Sequence, residues 1–266
     1  MAKALEDQVL TQMEDRRPIA SDLQLEPTGR RVRTLFAGRT VADSRSVMLL
    51  IEKQRLAVYY FPIKDVQQDL LVPTSYKSAH AGKGEASFFS VKVGDRMAEK
   101  AAWRYLNPER PELNDYVAFY WDKMDAWFEE DDEVFVHPRD PYHRVDVLNS
   151  SRQVKIVVGG EVVAETHRPR LLFETGLPVR YYIPKLDVRL DLLTATNTST
   201  RCPYKGKAEY WSVNVNGKEF KDIVWGYPAP IPECPKIENL LCFYDEKVDA
   251  VYVDGELQPR PVSPWS

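Results

Sequence analysis

The chain carries one pattern written twice. "VADSRSVMLLIEKQRLAVYYFPIKDVQQDLL" (41–71) lies over "VAETHRPRLLFETGLPVRYYIPKLDVRLDLL" (163–193) without a gap, at a constant offset of 122. That offset pairs Glu52 with Glu174, Tyr60 with Tyr182, Pro62 with Pro184 and Asp65 with Asp187. Further along it pairs Lys83-Gly84 with Lys205-Gly206, Trp103 with Trp225 and Tyr105 with Tyr227. After Tyr105 the offset becomes 124, and Phe119-Tyr120 meets Phe243-Tyr244. About two dozen identities fall in the gap-free stretch, far beyond chance self-similarity. Each half must therefore close a core of its own, on the scale of one small domain. The organisation read from this is an N-terminal helix or tail (1–29), a first repeat (30–135), an ordered linker (136–151), a second repeat (152–260) and a C-terminal tail (261–266).

Within each repeat the period is two, the signature of strands. "VKIVVGGEVVAE" is a pair of strand-like runs around Gly159-Gly160, a strong two-residue hairpin signal. In "KAEYWSVNV" the alternation places Trp211, Val213 and Val215 on one face and Ala208, Tyr210 and Ser212 on the other. The first repeat copies this with Phe89, Val91 and Val93 opposite Ala86, Phe88 and Ser90. The branched face reads as core, and the face of small residues plus one aromatic as a possible pocket wall. Helix is expected only in short pieces such as "DVRLDLL", and in the N-terminus, where Leu5, Val9, Leu10 and Met13 sit at helical spacing. The linker has two prolines and no clear periodicity.

Composition narrows the function classes. With 36 Lys+Arg against 40 Asp+Glu the net charge is −4, without the basic stripe that a sequence-independent nucleic-acid binder needs. Runs such as Val47-Met48-Leu49-Leu50-Ile51 are too short to span a bilayer, and the charged N-terminus does not look like a signal peptide. Cys202, Cys234 and Cys242 form an odd set with no C-x-x-C pair, so neither a disulfide framework nor a thiolate zinc site is expected. A reduced, cytoplasmic protein that needs no metal or cofactor, and binds neither nucleic acid nor membrane, fits these features.

"YYIPKLDVRLDLL", "RCPYKGKAEYWSV", "VWGYPAPIPECPKIENLLCFY" and "VYVDGE" resemble the family catalogued as domain of unknown function 427. "AFYWDKMDAWFEEDDEVFVHPRDPYHRVD" is similar to the junction in its tandem members. The resemblance covers nearly the whole chain after about residue 30. It implies a mainly β fold: two tandem copies of a small antiparallel β domain of the Mss4-like, β-tent group, each with a groove on one side. It implies no established activity. Some catalogues label the family nucleotidyltransferase-like, but the chain has no Gly-Ser followed by a metal-binding Asp-x-Asp, and no P-loop.

Comparing the copies separates what the fold needs from what one site does. Lys205 and Lys83 each precede a glycine and a strand, where an ammonium could hold an anion or act as an acid or base; the plain alternative is an exposed turn lysine. Glu174 and Glu52 each end an apolar run, and a carboxylate there needs a partner. A salt bridge from Glu174 to Lys205 or Arg180 is one reading, and a groove-facing base is the other. Tyr182, Tyr210, Trp225, Tyr227 and Tyr244 could line a pocket or fill a small β core, as could Tyr60, Trp103 and Tyr105 in the first repeat. Cys202 and Tyr204 flank Lys205 in "RCPYKG", whereas His80 stands opposite Cys202, which argues against an indispensable thiol nucleophile. The reading is a binder of a small polar or anionic molecule beside the Lys205-Gly206 turn. A cofactor-independent enzyme, a peptide-recognition module with two grooves and a structural duplication are the competing classes.

Overall fold

A computed structural model describes residues 23–52 and 55–263. The helical spacing read at Leu5 to Met13 lies outside the described residues. The chain divides between Asp140 and Pro141 into two compact units, inside the segment assigned to the linker.

In the first repeat the strands are β1 (Leu23–Pro27), β2 (Val32–Phe36), β3 (Arg39–Ser44), β4 (Met48–Glu52), β5 (Val58–Pro62) and β6 (Leu71–His80). They continue with β7 (Gly84–Val93), β8 (Arg96–Tyr105), β9 (Tyr116–Phe119), β10 (Ala126–Glu129) and β11 (Asp132–Val134). The second repeat follows with β12 (Val145–Asn149), β13 (Val154–Val158), β14 (Glu161–Thr166), β15 (Arg170–Glu174) and β16 (Arg180–Pro184). Then come β17 (Leu193–Cys202), β18 (Gly206–Val215), β19 (Lys218–Gly226), β20 (Leu240–Phe243), β21 (Ala250–Val253) and β22 (Glu256–Leu257). Helical turns in the described residues are short 3-10 pieces, among them Lys185–Asp187 and Leu190–Leu192 in the "DVRLDLL" region.

Each repeat builds a seven-stranded antiparallel sheet and a four-stranded one. The orders are β1-β4-β5-β9-β8-β7-β6 with β11-β10-β2-β3, and β12-β15-β16-β20-β19-β18-β17 with β14-β13-β21-β22. Strand for strand these are the same topology. Two expected boundaries move: β1 lies within the segment 1–29 and β12 within the linker 136–151, each as an edge strand of a large sheet. The hairpin read at Gly159-Gly160 is present, with positive φ at both residues (61° and 81°), as a two-residue turn matched to strand twist requires.

The repeated aspartate has an architectural reason. Ser44 Oγ donates to Asp65 at 2.6 Å and Thr166 Oγ1 donates to Asp187 at 2.7 Å, tying a 3-10 turn to the small sheet in each copy.

Alternation buries both faces of the large sheet. On one face Val213 and Val215, with Trp211 packed against them, meet Val154, Ile156 and Val158 of the small sheet. The other face carries a second cluster of Leu172, Tyr182, Ala208, Tyr210, Trp225 and Tyr227. The first repeat has the same pair of clusters, with Leu50, Tyr60, Ala86, Phe88 and Tyr105 on the second face. The face read as a possible pocket wall is thus filled by its own aromatics. Each such ring contributes about 1.5–3 kcal/mol by leaving water, which small units of this kind need.

Candidate functional site

The Lys-Gly turn is fixed by a close crossing of backbones. Gly206 has φ +107°, and a Cβ there would lie 3.3 Å from the carbonyl of Ala229 and 3.3 Å from the amide of Ile231. Gly84 repeats this with φ +95° and contacts of 3.2 and 3.3 Å to Asn107 and Glu109. The crossing loop then hydrogen-bonds the lysine's own carbonyl, from Ile231 N–H to Lys205 (3.1 Å) and from Glu109 N–H to Lys83 (3.2 Å). With the turn held on that side, the lysine side chain runs inward to the strand-end glutamate. Lys83 Nζ donates to Glu52 at 2.6 Å, and Lys205 Nζ donates to Glu174. The lysines are 4% and 8% exposed, so neither is the exposed turn residue of the plain alternative.

In the second repeat the pair becomes a triad. His143 Nε2 lies 3.0 Å from the other carboxylate oxygen of Glu174, and its ring stacks on Tyr204 with centroids 4.1 Å apart. Strand β12 delivers the histidine: Val145 pairs with Glu174, and Arg144 and Thr175 bond each other just beyond. Sequence reasoning missed His143 because it lies in the segment assigned to the linker. His167, the other histidine of the second repeat, is exposed.

Charge states follow from burial and partners. Burial alone would raise the Glu174 carboxyl, but the Lys205 ammonium and the His143 hydrogen bond outweigh it and hold it at about 2. Burial alone would lower Lys205; Glu174 overcomes this and raises it. Burial pushes the Cys202 thiol up, although Lys205 and the backbone N–H groups of Tyr204 and Lys205 pull the other way. Burial likewise raises Cys234 to about 11 and drives Tyr182 and Tyr227 well above the ordinary phenol. Glu174 is therefore ionised, Lys205 charged and Cys202 a neutral thiol at physiological pH. Such a set holds no thiolate, and its carboxylate is too weak a base for proton abstraction.

A model of one family matches the chain twice, over residues 24–130 and 146–254; its description is domain of unknown function (DUF427). The chain belongs to this family. No curated protein matches it. The two DUF427 matches begin near β1 and β12, in keeping with both edge strands being part of the repeats.

The other expected site residues divide between the copies of the DUF427 domain. Trp225 Nε1 donates to Tyr182 Oη at 3.2 Å, and Trp103 Nε1 donates to Tyr60 Oη at the same distance, so these polar ends are satisfied inside the second-face clusters. Tyr210 Oη lies 2.9 Å from Thr200 Oγ1. Tyr227 and Tyr244 are buried with them, and so is Tyr105 in the first repeat. Cys202 and Tyr204 stay partly exposed beside Lys205. His80, opposite Cys202, lies edge-on to Tyr105, and its Nε2 is buried with no hydrogen-bond partner among the described residues. Arg180, weighed as a partner of Glu174, instead grips Glu246 with two hydrogen bonds of 2.8 and 2.5 Å. Among the described residues no group of His, Cys, Asp and Glu is arranged to hold a metal ion. Nor is any helix there long and apolar enough to cross a membrane.

Proposed function

We propose that the protein is a cytoplasmic binder of a small, oxygen-bearing polar molecule, taken up in the second repeat where His143, Cys202, Tyr204 and Lys205 meet. One observation carries the reading. An ammonium has three N–H donors, and Glu174 is the only hydrogen-bond acceptor that Lys205 has among the described residues. A buried donor without an acceptor is costly, so a carbonyl, carboxylate or phosphate oxygen is the complement that this position favours. The ionised Lys205–Glu174 pair orients such an oxygen without consuming it, which supports binding rather than catalysis. The filled second faces favour a second reading, a duplication kept for stability alone.

Native mass spectrometry of freshly purified protein, followed by a thermal-shift screen across polar metabolites, separates the two. Binding raises the melting temperature by mass action. The control is the double variant Lys205→Met/Glu174→Met, since exchanging a whole buried pair for apolar groups is often neutral for stability. A ligand whose shift vanishes in that variant supports the binder. No retained mass and no shift would leave the structural reading standing.

A further inference from the structure

The two repeats handle one aromatic corner in opposite ways. In the second, the Arg180 guanidinium sits 5.6 Å from the centroid of Trp225 and 5.9 Å from that of Tyr244, its charge met by Glu246. Those two rings lie 4.4 Å apart at 41°. In the first repeat the same rings recur as Trp103 and Tyr120, 4.6 Å apart at 45°. Among the described residues the cation has no counterpart: the offset of 122 puts Val58 where the second repeat has Arg180, each as the first residue of its strand, β5 or β16. The carboxylate persists, because the offset of 124 sets Asp122 against Glu246.

The consequence shows in exposure. Tyr244 is 9% exposed and Tyr120 is 41% exposed. Trp103 and Val58 are half-buried, Asp122 is exposed, and Asp122 has no ion-pair partner among the described residues. Lys100 covers the far side of this aromatic group, 4.5 Å from the centroid of Tyr76, which packs on Phe88 and through it on Tyr120; no cation lies over Trp103 or Tyr120 among the described residues. An aromatic pair with a carboxylate near enough to act on Tyr120 through its charge, and no cation between them among the described residues, is complementary to a flat organic cation.

We propose that the first repeat binds a small guanidinium-bearing molecule at Trp103 and Tyr120, with Asp122 as counter-ion, in the place that Arg180 occupies internally in the second repeat. Arg180 is in effect the bound group, supplied by the chain itself. This site lies in the other repeat from the Lys205 triad and takes the opposite charge, so neither proposal depends on the other.

The test uses methylguanidinium, with methylurea as its uncharged counterpart, on the full-length protein. The readout is the Trp103 indole N–H resonance, assigned with Trp103→Phe. Methylguanidinium is expected to move this resonance in a saturable way, while methylurea leaves it in place. Val58→Arg should abolish the response by seating a guanidinium permanently, and Tyr120→Leu should weaken binding roughly tenfold. A resonance that methylguanidinium does not move, or that methylurea moves equally, overturns the proposal. So does unchanged affinity in a folded Val58→Arg. Should that variant not fold, unchanged affinity in Tyr120→Leu, a substitution at an exposed ring, overturns it alone.

Discussion

The Arg180–Glu246 corner of the second repeat and the Val58–Asp122 corner of the first share a topology and an acidic residue and differ in the cation. Another such exchange lies nearby. Lys100 and Asp222 both take a left-handed conformation, with φ of 50° and 51°. Lys100 covers the ring of Tyr76, whereas Asp222 accepts hydrogen bonds from Thr196 (2.6 Å) and Thr198 (2.8 Å). By contrast, the Lys-Gly turn, the Trp-to-Tyr hydrogen bond and the aspartate that ties the 3-10 turn are the same in both copies. What recurs closes the backbone; what differs is free to carry function.

The largest expected effect comes from making the second repeat resemble the first. Arg180→Val strands Glu246, whose side chain is fully buried, beside Asp245, which burial already raises to about 7. Breaking a buried pair from one side costs about 3–5 kcal/mol, so urea unfolding of this variant should show a loss of that size. A loss below about 1 kcal/mol would mean that the corner is more hydrated than its burial indicates.

The next effect compares the two Lys–Glu pairs. Glu174→Gln should destabilise by about 3 kcal/mol, because it leaves Lys205 charged and buried. Glu52→Gln should cost about 1 kcal/mol, since the Glu52 side chain is 20% exposed and water screens the lysine it leaves. Acid makes the same comparison. The Glu174 carboxyl is depressed in the fold, to about 2 from an ordinary 4.5. Its contribution is therefore fully present above pH 4.5 and disappears as pH falls through about 2. Unfolding measured at steps across that window should fall by about 3 kcal/mol in the wild type and much less in Glu174→Gln. Equal pH slopes would show that the triad does not hold the charge as its geometry requires.

How far the sequence reveals these features depends on which interactions are local. The repeat, the strands and the hairpin at Gly159-Gly160 are legible because alternation and glycine turns act over a few residues. β1 and β12 are not, because "LQLEP" and "VDVLN" share no identity at the offset of 122, and an edge strand needs only one neighbour. The Glu174–Lys205 pair is readable as one of two alternatives, since both residues recur at that offset. His143 reaches Glu174 across 31 positions, and Arg180 reaches Glu246 across 66. Spacing carries no sign of either. Alternation also names the two faces of β18 without saying what covers them, so Tyr210 reads equally as pocket wall and as core.

The smallest expected effect is at Cys202, where the copies differ by a thiol against the imidazole of His80. Burial holds the thiol above its ordinary value even with Lys205 beside it, so at neutral pH it is protonated and a poor nucleophile. It is also half-buried, and a serine hydroxyl in its place can use the backbone N–H groups of Tyr204 and Lys205. Cys202→Ser should therefore change stability by less than about 1 kcal/mol. It should leave any ligand shift found for the wild type within a few-fold. Alkylation by iodoacetamide at pH 7.5, followed by intact mass, should label Cys202 more slowly than free cysteine, whose thiol titrates near 8.5. Rapid single labelling at this residue, with the ligand shift lost, would mean that the second repeat lowers the thiol after all. The difference between Cys202 and His80 would then be the functional one, ahead of the lysine that both repeats share.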